Sequence, residues 1–515
     1  MATTVLRGGN ILTMDPARPR ADAVVITDGR IVATGPDPVA ETRPDGDLVD
    51  LGGRTVVPGF IDAHLHLSLA ALHPRWADCS TVRDVDALRA VLRTQAAVEP
   101  DAEWVRGVGW TDLDGGFAPD RHDLDALGFD RPVIVVHYSY HQCVVSSAGL
   151  DVLGIGRATP DPPGGTIERG PDGTPTGLLV ERAWSEAQAR SLAAYSDPDR
   201  WDDLIVETAR GLLRDGITAV HDAACPPSAE ARYRSLARTG RLPLSVLVMP
   251  HAEGLLSPLD DARLDGPPTG DGDETLRVGP VKLFADGGTL PAIDGHAHGH
   301  RIRMGHVFPD LDDQVARVVR RGFRVAVHAI GNRGIEVALD AFAAAERLRP
   351  DDDHRFRIEH ASLLGVGQAR RMASLGAVGV VQPGFVHHMG GAVDGFTLDD
   401  ATWMAFGDLA RSGVVIAGSS DGPCAFHEPL LTSARGVTRV TSLGRVLGPE
   451  QSLDYEEWIR AYTAGAAYAG GQEHERGRLA PGLRADFVVL DGPLDPQRPP
   501  TVAETWVGGV RVHAA

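Results

Sequence analysis

The 515-residue sequence predicts an α/β chain: a (β/α)8 TIM-type barrel, a small β-sandwich domain formed from both termini, and an inserted subdomain. Three observations lead there. Both ends alternate apolar and polar residues with the period of two that marks half-buried strands. The middle carries short apolar runs separated by helical stretches, the pattern of βα units around a parallel sheet. The interval between the first two of these runs is too long for one βα loop.

At the N-terminal end the strand signals are Val5-Leu6, Ile11-Leu12, Ala23-Val-Val-Ile26 and Arg30-Ile-Val-Ala33, with Asp28-Gly29 as a hairpin turn. Ala485-Asp-Phe-Val-Val-Leu490 and Thr505-Trp-Val-Gly-Gly-Val-Arg-Val512 repeat the pattern at the other end. Residues 1–57 and 469–515 are therefore read as the two parts of one sandwich, with the barrel over 58–468. The barrel strands are expected at Thr55–Ile61, Ile217–His221, Leu244–Met249, Val278–Phe284, Phe323–His328, Phe356–His360, Ala377–Gln382 and Val414–Ala417. Each ends in or precedes polar residues, where a barrel carries its site. The insert, about 72–205, holds its own strand-like run Pro132–His137 and a Pro/Gly-rich stretch, Thr159–Gly165, and is read as covering the barrel mouth.

The apolar fraction of 43% and charged fraction of 23% are those of an ordinary globular enzyme. With 50 basic and 70 acidic residues the net charge is −20, which argues against nucleic-acid or anionic-membrane partners. No apolar stretch reaches the length of a membrane helix, and Met1–Arg7 lacks the basic head and apolar core of a secretory signal, so a cytoplasmic protein is expected. Cys79, Cys143, Cys225 and Cys424 are scattered, as free thiols would be.

The chemistry begins at Gly59-Phe-Ile-Asp-Ala-His-Leu-His66. Two histidines two residues apart on a strand point to the same side, where both imidazoles can reach one metal. His328 closes the run Arg324-Val-Ala-Val-His, His360 closes Arg357-Ile-Glu-His, and Asp421 follows Val414–Ser420. Alone, each histidine is as well read as a satisfied core residue and the aspartate as a helix cap. The one lysine of the chain, Lys282, lies inside the expected apolar strand Val278–Phe284. Burial should depress its pKa, and a neutral amine can react with carbon dioxide to give a carbamate, which arginine cannot do.

These residues, in this order, resemble the amidohydrolase superfamily, more narrowly its family-3 branch, similar to N-substituted formamide deformylase-like metal-dependent hydrolases. Further matches are Asp161-Pro-Pro-Gly-Gly165, Pro175-Thr-Gly-Leu-Leu179, His328-Ala-Ile-Gly-Asn332, Arg357–Ala361 and Gly477–Asp486. The resemblance covers nearly the whole chain. It implies one or two Zn2+ or another divalent metal. In the two-metal form His64, His66, Asp421 and a carbamate on Lys282 hold the buried ion, and His328, His360 and the same carbamate hold the outer one. It also implies hydrolysis of a non-peptide C–N bond, amide or formamide, in a small-molecule substrate by metal-activated hydroxide, with Asp421 as the proton shuttle.

Two departures concern the substrate: Asn332 stands where the family has aspartate, and Ser146 where it has asparagine. His141 matches a substrate-facing histidine. Trp110, with Phe117, Tyr138 and Tyr140, is read as pocket lining, and His296 of the run Asp294–His300 as a mouth-loop contact; His387-His388 is a further candidate. A deaminase or hydrolase of a cyclic or aryl nitrogen compound is the alternative, and a lapsed metal-binding barrel a third reading. Metal number, substrate and assembly, including a homodimer, stay open at this level.

Overall fold

The computed structural model describes residues 3–36, 47–111, 117–350 and 352–515. Strands parallel to their paired neighbours make a TIM-barrel-type arrangement: β1 (Phe60–Leu65), β2 (Ile217–Cys225), β3 (Ser245–Pro250), β4 (Val281–Phe284), β5 (Val325–Ala329), β6 (Arg357–His360), β7 (Val378–Val381) and β8 (Ile416–Gly418). They pair as two arcs, β1 to β3 and β4 to β8. No continuous ladder closes the ring among the described residues. Single backbone bonds stitch the seams: Gly279 N to Val248 O at 2.7 Å, Asp421 N to His64 O at 2.8 Å, and His66 N to Gly422 O at 2.8 Å.

The arcs are covered by amphipathic helices, as βα units require. Helix Pro198–Arg214 buries Trp201, Ile205, Ala209 and Leu212 beside β2. Helices Leu311–Arg320 and Asn332–Leu348 pack Val315, Val318, Leu339 and Phe342 over β4 and β5. Among the described residues no helix is long and apolar enough to cross a membrane.

The two termini share one hydrogen-bonded sheet of eight strands. Arg20–Thr27 and Arg30–Gly35 pair antiparallel across Asp28 and Gly29, both at positive φ (49° and 78°), the geometry of a primed hairpin turn. Two expected barrel strands divide. Of Val278–Phe284, Val278 ends a short strand, Leu276–Val278, paired with β3, and β4 starts at Val281. Of Thr55–Ile61, Thr55–Pro58 belongs to the terminal sheet, paired antiparallel with Phe487–Leu490, and β1 starts at Phe60. The break falls at Gly59, where any side chain would overlap Thr218, so the backbones can approach there only without a Cβ.

Within the insert, residues 77–181 build a six-stranded sheet in the order Gly165–Arg169, Pro175–Glu181, Gln142–Val145, Val133–His137, Val105–Trp110, Ala77–Asp78. Its Tyr138–His141 turn and Glu181 reach the C-terminal end of the barrel.

The terminal sheet carries its own core, in which Phe487 is buried and stacks on Trp506 at 5.1 Å between centroids. Phe487→Ala is expected to cost about 3–5 kcal/mol, read as a lower denaturation midpoint. An unchanged midpoint would show that the two ends do not stabilise one another.

Candidate active site

The C-terminal ends of the barrel strands place polar groups around one pocket: His64 and His66 from β1, Lys282 from β4, His328 from β5, His360 from β6, and Asp421 after β8. His64, Lys282, His328 and His360 are all under 5% exposed. The six residues singled out as metal ligands are thus brought together. Apolar side chains, among them Phe284, Ile330, Phe385 and Leu255, close the walls.

The orientation of the rings is set from behind. His66 Nδ1 is 2.8 Å from the carbonyl oxygen of Ala223, an acceptor only, so Nδ1 carries the proton and Nε2 keeps its lone pair. His64 Nδ1 contacts Glu359 Oε2 to the same effect. His360 Nδ1 lies 3.0 Å from Gln382 Oε1, whose amide nitrogen donates to Ser419 Oγ at 2.9 Å, so the glutamine oxygen is the accepting end. Three imidazoles therefore present bare Nε2 atoms to the pocket.

Asp421 Oδ1 lies 3.2 Å from His66 Nε2 and 3.4 Å from His64 Nε2. Lone pairs facing one another at such distances need a cation between them. Among the described residues these three form the group whose ligand atoms all lie within 4.8 Å of one another. Ligand atoms about 2.0–2.2 Å from a zinc-like ion stand roughly 3.3–3.6 Å apart at the corners of a tetrahedron. The observed separations match, so the site fits a divalent metal. Lys282 Nζ is 3.3 Å from His64 Nε2. The His328 ring is 4.6 Å from that of His360, and its Nε2 is buried without a hydrogen-bond partner.

Burial also sets the charge states. It lowers His64, with the Lys282 charge adding to the effect, and lowers His328, with His360 adding; His360 is lowered to about 4. All three stay neutral near neutral pH, the form in which an imidazole can bind a metal. Burial lowers Lys282 to about 8, although Glu359 and Asp421 oppose it, so a fraction of the amine is neutral. Burial alone would raise Asp421, but the surrounding His66, His64 and His360 rings outweigh it and hold the carboxyl well below the carboxylate range.

Behind the candidate ligands lies a charged layer to which the sequence pattern assigns no role. Arg357 and Glu359, both fully buried, pair at 2.8 Å, and Arg357 also donates to Ala63 O at 2.7 Å. Asp286 accepts from Ala292 N, Ile330 N and Gly331 N, and its Oδ1 lies 3.9 Å from His328 Nε2. His251, directly after β3, is buried with Nδ1 2.9 Å from Lys282 O and Nε2 unpartnered. The signals were present. Arg357 and Glu359 are charges at i and i+2 in a wholly buried strand, and His251 is one more polar residue at a strand end.

Conformational strain marks the same place. Tyr140, Glu181, Ala224, His360, Ala361 and Asp421 all have φ between 46° and 75°, unfavourable for side-chain-bearing residues.

The remaining candidates divide. His141 lines the pocket, its ring 5.0 Å from that of His328, and Tyr138, Tyr140 and His388 line it too. Trp110 is buried in the insert, with Nε1 donating to Val135 O at 3.2 Å, and Phe117 packs against the same core. His296 is half exposed on the hairpin Ile293–Met304 and pairs with Asp400 at 2.9 Å, outside the pocket lining. The two departures are structural positions. Ser146 caps helix Ser147–Leu153, and Asn332 bonds both N and O of Asp294, a reciprocal pair that an ionised aspartate could not make.

The chain matches the Amidohydrolase family over residues 47–513. It is 32% identical to an N-substituted formamide deformylase of Arthrobacter pascens, over 99% of this chain and 98% of that protein. It is 30% identical to a putative amidohydrolase of Bacillus subtilis (strain 168), over 95% and 94% of the two. Among solved structures it resembles an uncharacterized metal-dependent hydrolase of Pyrococcus horikoshii OT3, at 25% identity and a TM-score of 0.74, covering 96% of this chain and 98% of that one. Full-length likeness and a converging set of bare histidine nitrogens agree: the chain belongs to the Amidohydrolase family and is a metal-dependent hydrolase acting on carbon–nitrogen bonds.

Proposed function

We propose that the protein hydrolyses a non-peptide amide or formamide bond of a small organic molecule. The observation that carries this reading is Asp421, a buried carboxylate 3.2 Å from His66 Nε2 and 3.4 Å from His64 Nε2 in a pocket walled by apolar side chains. The similarity to a formamide deformylase over the full length supports the choice of bond.

His64, His66 and Asp421 would hold one zinc-like ion, and His328 and His360, with a carbamate on Lys282, a second. When bound, the metal supplies Lewis acidity, polarising the carbonyl and acidifying water. The protein's own groups do the rest. Asp421 accepts the proton of the attacking water and delivers it to the nitrogen that leaves. Phe284, Ile330 and Phe385 exclude bulk water, which strengthens every charge interaction inside. The Lys282 amine, made partly neutral by burial, bonds to the carbon of carbon dioxide and releases a proton, giving the carbamate.

Asp421→Asn is expected to lower kcat on a responsive amide by about 10²–10⁴-fold; undiminished turnover would remove Asp421 from the proton path. Lys282→Ala is expected to lose activity and regain part of it on adding a short carboxylate such as formate, while Lys282→Arg stays inactive. A fully active Lys282→Arg would exclude the carbamate.

Metal retention should follow the buried histidines. Lowered pKa values mean that acid must go further before protons displace the ion. Metal content after dialysis is expected to hold from neutral pH to near 5 and to fall only on approach to about 4, where His360 protonates. Release already at pH 6–7, the range of an exposed histidine, would contradict a buried site.

A further inference from the structure

A second cavity borders the first, and His66, Tyr140 and Leu255 line both. Its further walls include the apolar side chains of Leu69, Leu192 and Trp201. Polar groups on the lining are mostly engaged elsewhere. Ser68 Oγ donates to Asp222 Oδ2 at 2.9 Å, Trp201 Nε1 donates to Ser68 O at 2.9 Å, and the Tyr140 hydroxyl meets His73 Nε2. Gln188 is the exception. It lies on the insert's helix Ser185–Ala193 and is 3% exposed, and its Nε2 has no hydrogen-bond partner among the described residues.

Arg106 decides which end of that amide is free. Its Nη2 lies 2.7 Å from Gln188 Oε1, and a guanidinium only donates, so the oxygen is held there and the NH2 group is left for the cavity. Arg106 is fully buried on the strand Val105–Trp110, 4.3 Å from the Trp76 ring, with no carboxylate partner among the described residues. Burial lowers its pKa to about 10, which leaves it charged at neutral pH. That charge polarises the glutamine and strengthens its free N–H groups as donors. Glu253, exposed on the same lining and accepting from Ser228 N and Oγ, sets a negative charge against an anionic occupant.

We infer that this second cavity holds the amine-side arm of the substrate, and that Gln188 Nε2 donates to an uncharged acceptor on that arm, a ring nitrogen or a carbonyl or ether oxygen. The inference rests on the amide-hydrolase reading above. There Asp421 gives its proton to the departing nitrogen, and Asp421 lies against His66, which the two cavities share. The arm on this side therefore belongs to the amine. Gln188 touches the substrate; Arg106 is a positioning residue that acts through it. An arm without an acceptor leaves the buried donor unpaired.

The experiment compares kcat/KM of the metal-loaded full-length protein on the formamide of 2-phenylethylamine and on those of its three pyridyl isosteres, above the pyridinium pKa, with the corresponding acetamides alongside. All carry one N-substituent of the same shape, so the ratio reads the acceptor and not the degree of substitution. An apolar cavity alone would favour phenyl, since a ring nitrogen loses its water on entry. Wild type is expected to favour at least one pyridyl isomer over phenyl by about 3- to 10-fold. Gln188→Glu keeps the shape, pairs with Arg106 and removes the donors, so the preference should turn to phenyl; Gln188→Met serves if that variant does not fold. Arg106→Met frees the amide to turn over and should shrink the ratio, whereas a merely structural Arg106 would lower both rates alike. A wild type that favours no pyridyl isomer, or a preference that survives the loss of the Gln188 donors, overturns the inference. Hydrolysis of none of these amides by wild type would instead overturn the amide reading itself, and this inference with it.

Discussion

The arrangement depends on one buried ion pair. Arg357 and Glu359 alternate with Ile358 along β6, so both charges point into the barrel with no water to solvate them. Such a pair survives only if every remaining donor and lone pair is used. Glu359 spends its second oxygen on His64 Nδ1, and Arg357 its other nitrogens on Ala63 O and, at 3.1 Å, His221 Nδ1. The charge requirement of one strand thus fixes the ring orientation on another. His64 is a ligand-ready imidazole because a carboxylate inside the barrel needed a donor.

The ligand set was legible because its residue types are costly in their setting. Histidines, a lysine and an aspartate at the ends of apolar strands are improbable as packing, and their order along the chain matched a known pattern. The strand positions followed from the same apolar runs. Less legible was whatever depends on distant pairing. The boundary at Gly59 separates two strands that look continuous, since both halves are apolar and only their partners, 487–490 and 217–225, differ. Glu181 carries no local signal, because its partner lies forty positions away across the inserted sheet. The aromatics misled for a related reason. Trp110 ends a strand inside the insert's core, whereas the turn after Val133–His137 carries Tyr138 and Tyr140 to the pocket.

Two parts of the chain build the pocket. The candidate metal ligands come from strand ends held by parallel ladders, whereas Tyr138, Tyr140, His141 and Glu181 come from the insert. The two systems meet on the loop after β4, which continues from Lys282 to Thr289 and Leu290 on Glu181. Substrate preference can therefore vary with the insert while the charged layer beneath stays constrained.

The seam between β8 and β1 has a consequence for how the protein matures. His66 and Asp421 are separated by 355 residues, and the carboxylate is aligned by a bond from its own amide to His64 O across that seam. A chain emerging from the ribosome presents the first histidines long before the aspartate exists. The complete donor set forms only when the last strand docks against the first, a contact among the longest-range in the molecule. The group His64, His66 and Asp421 is thus assembled late, and its geometry depends on the contact between the last strand and the first.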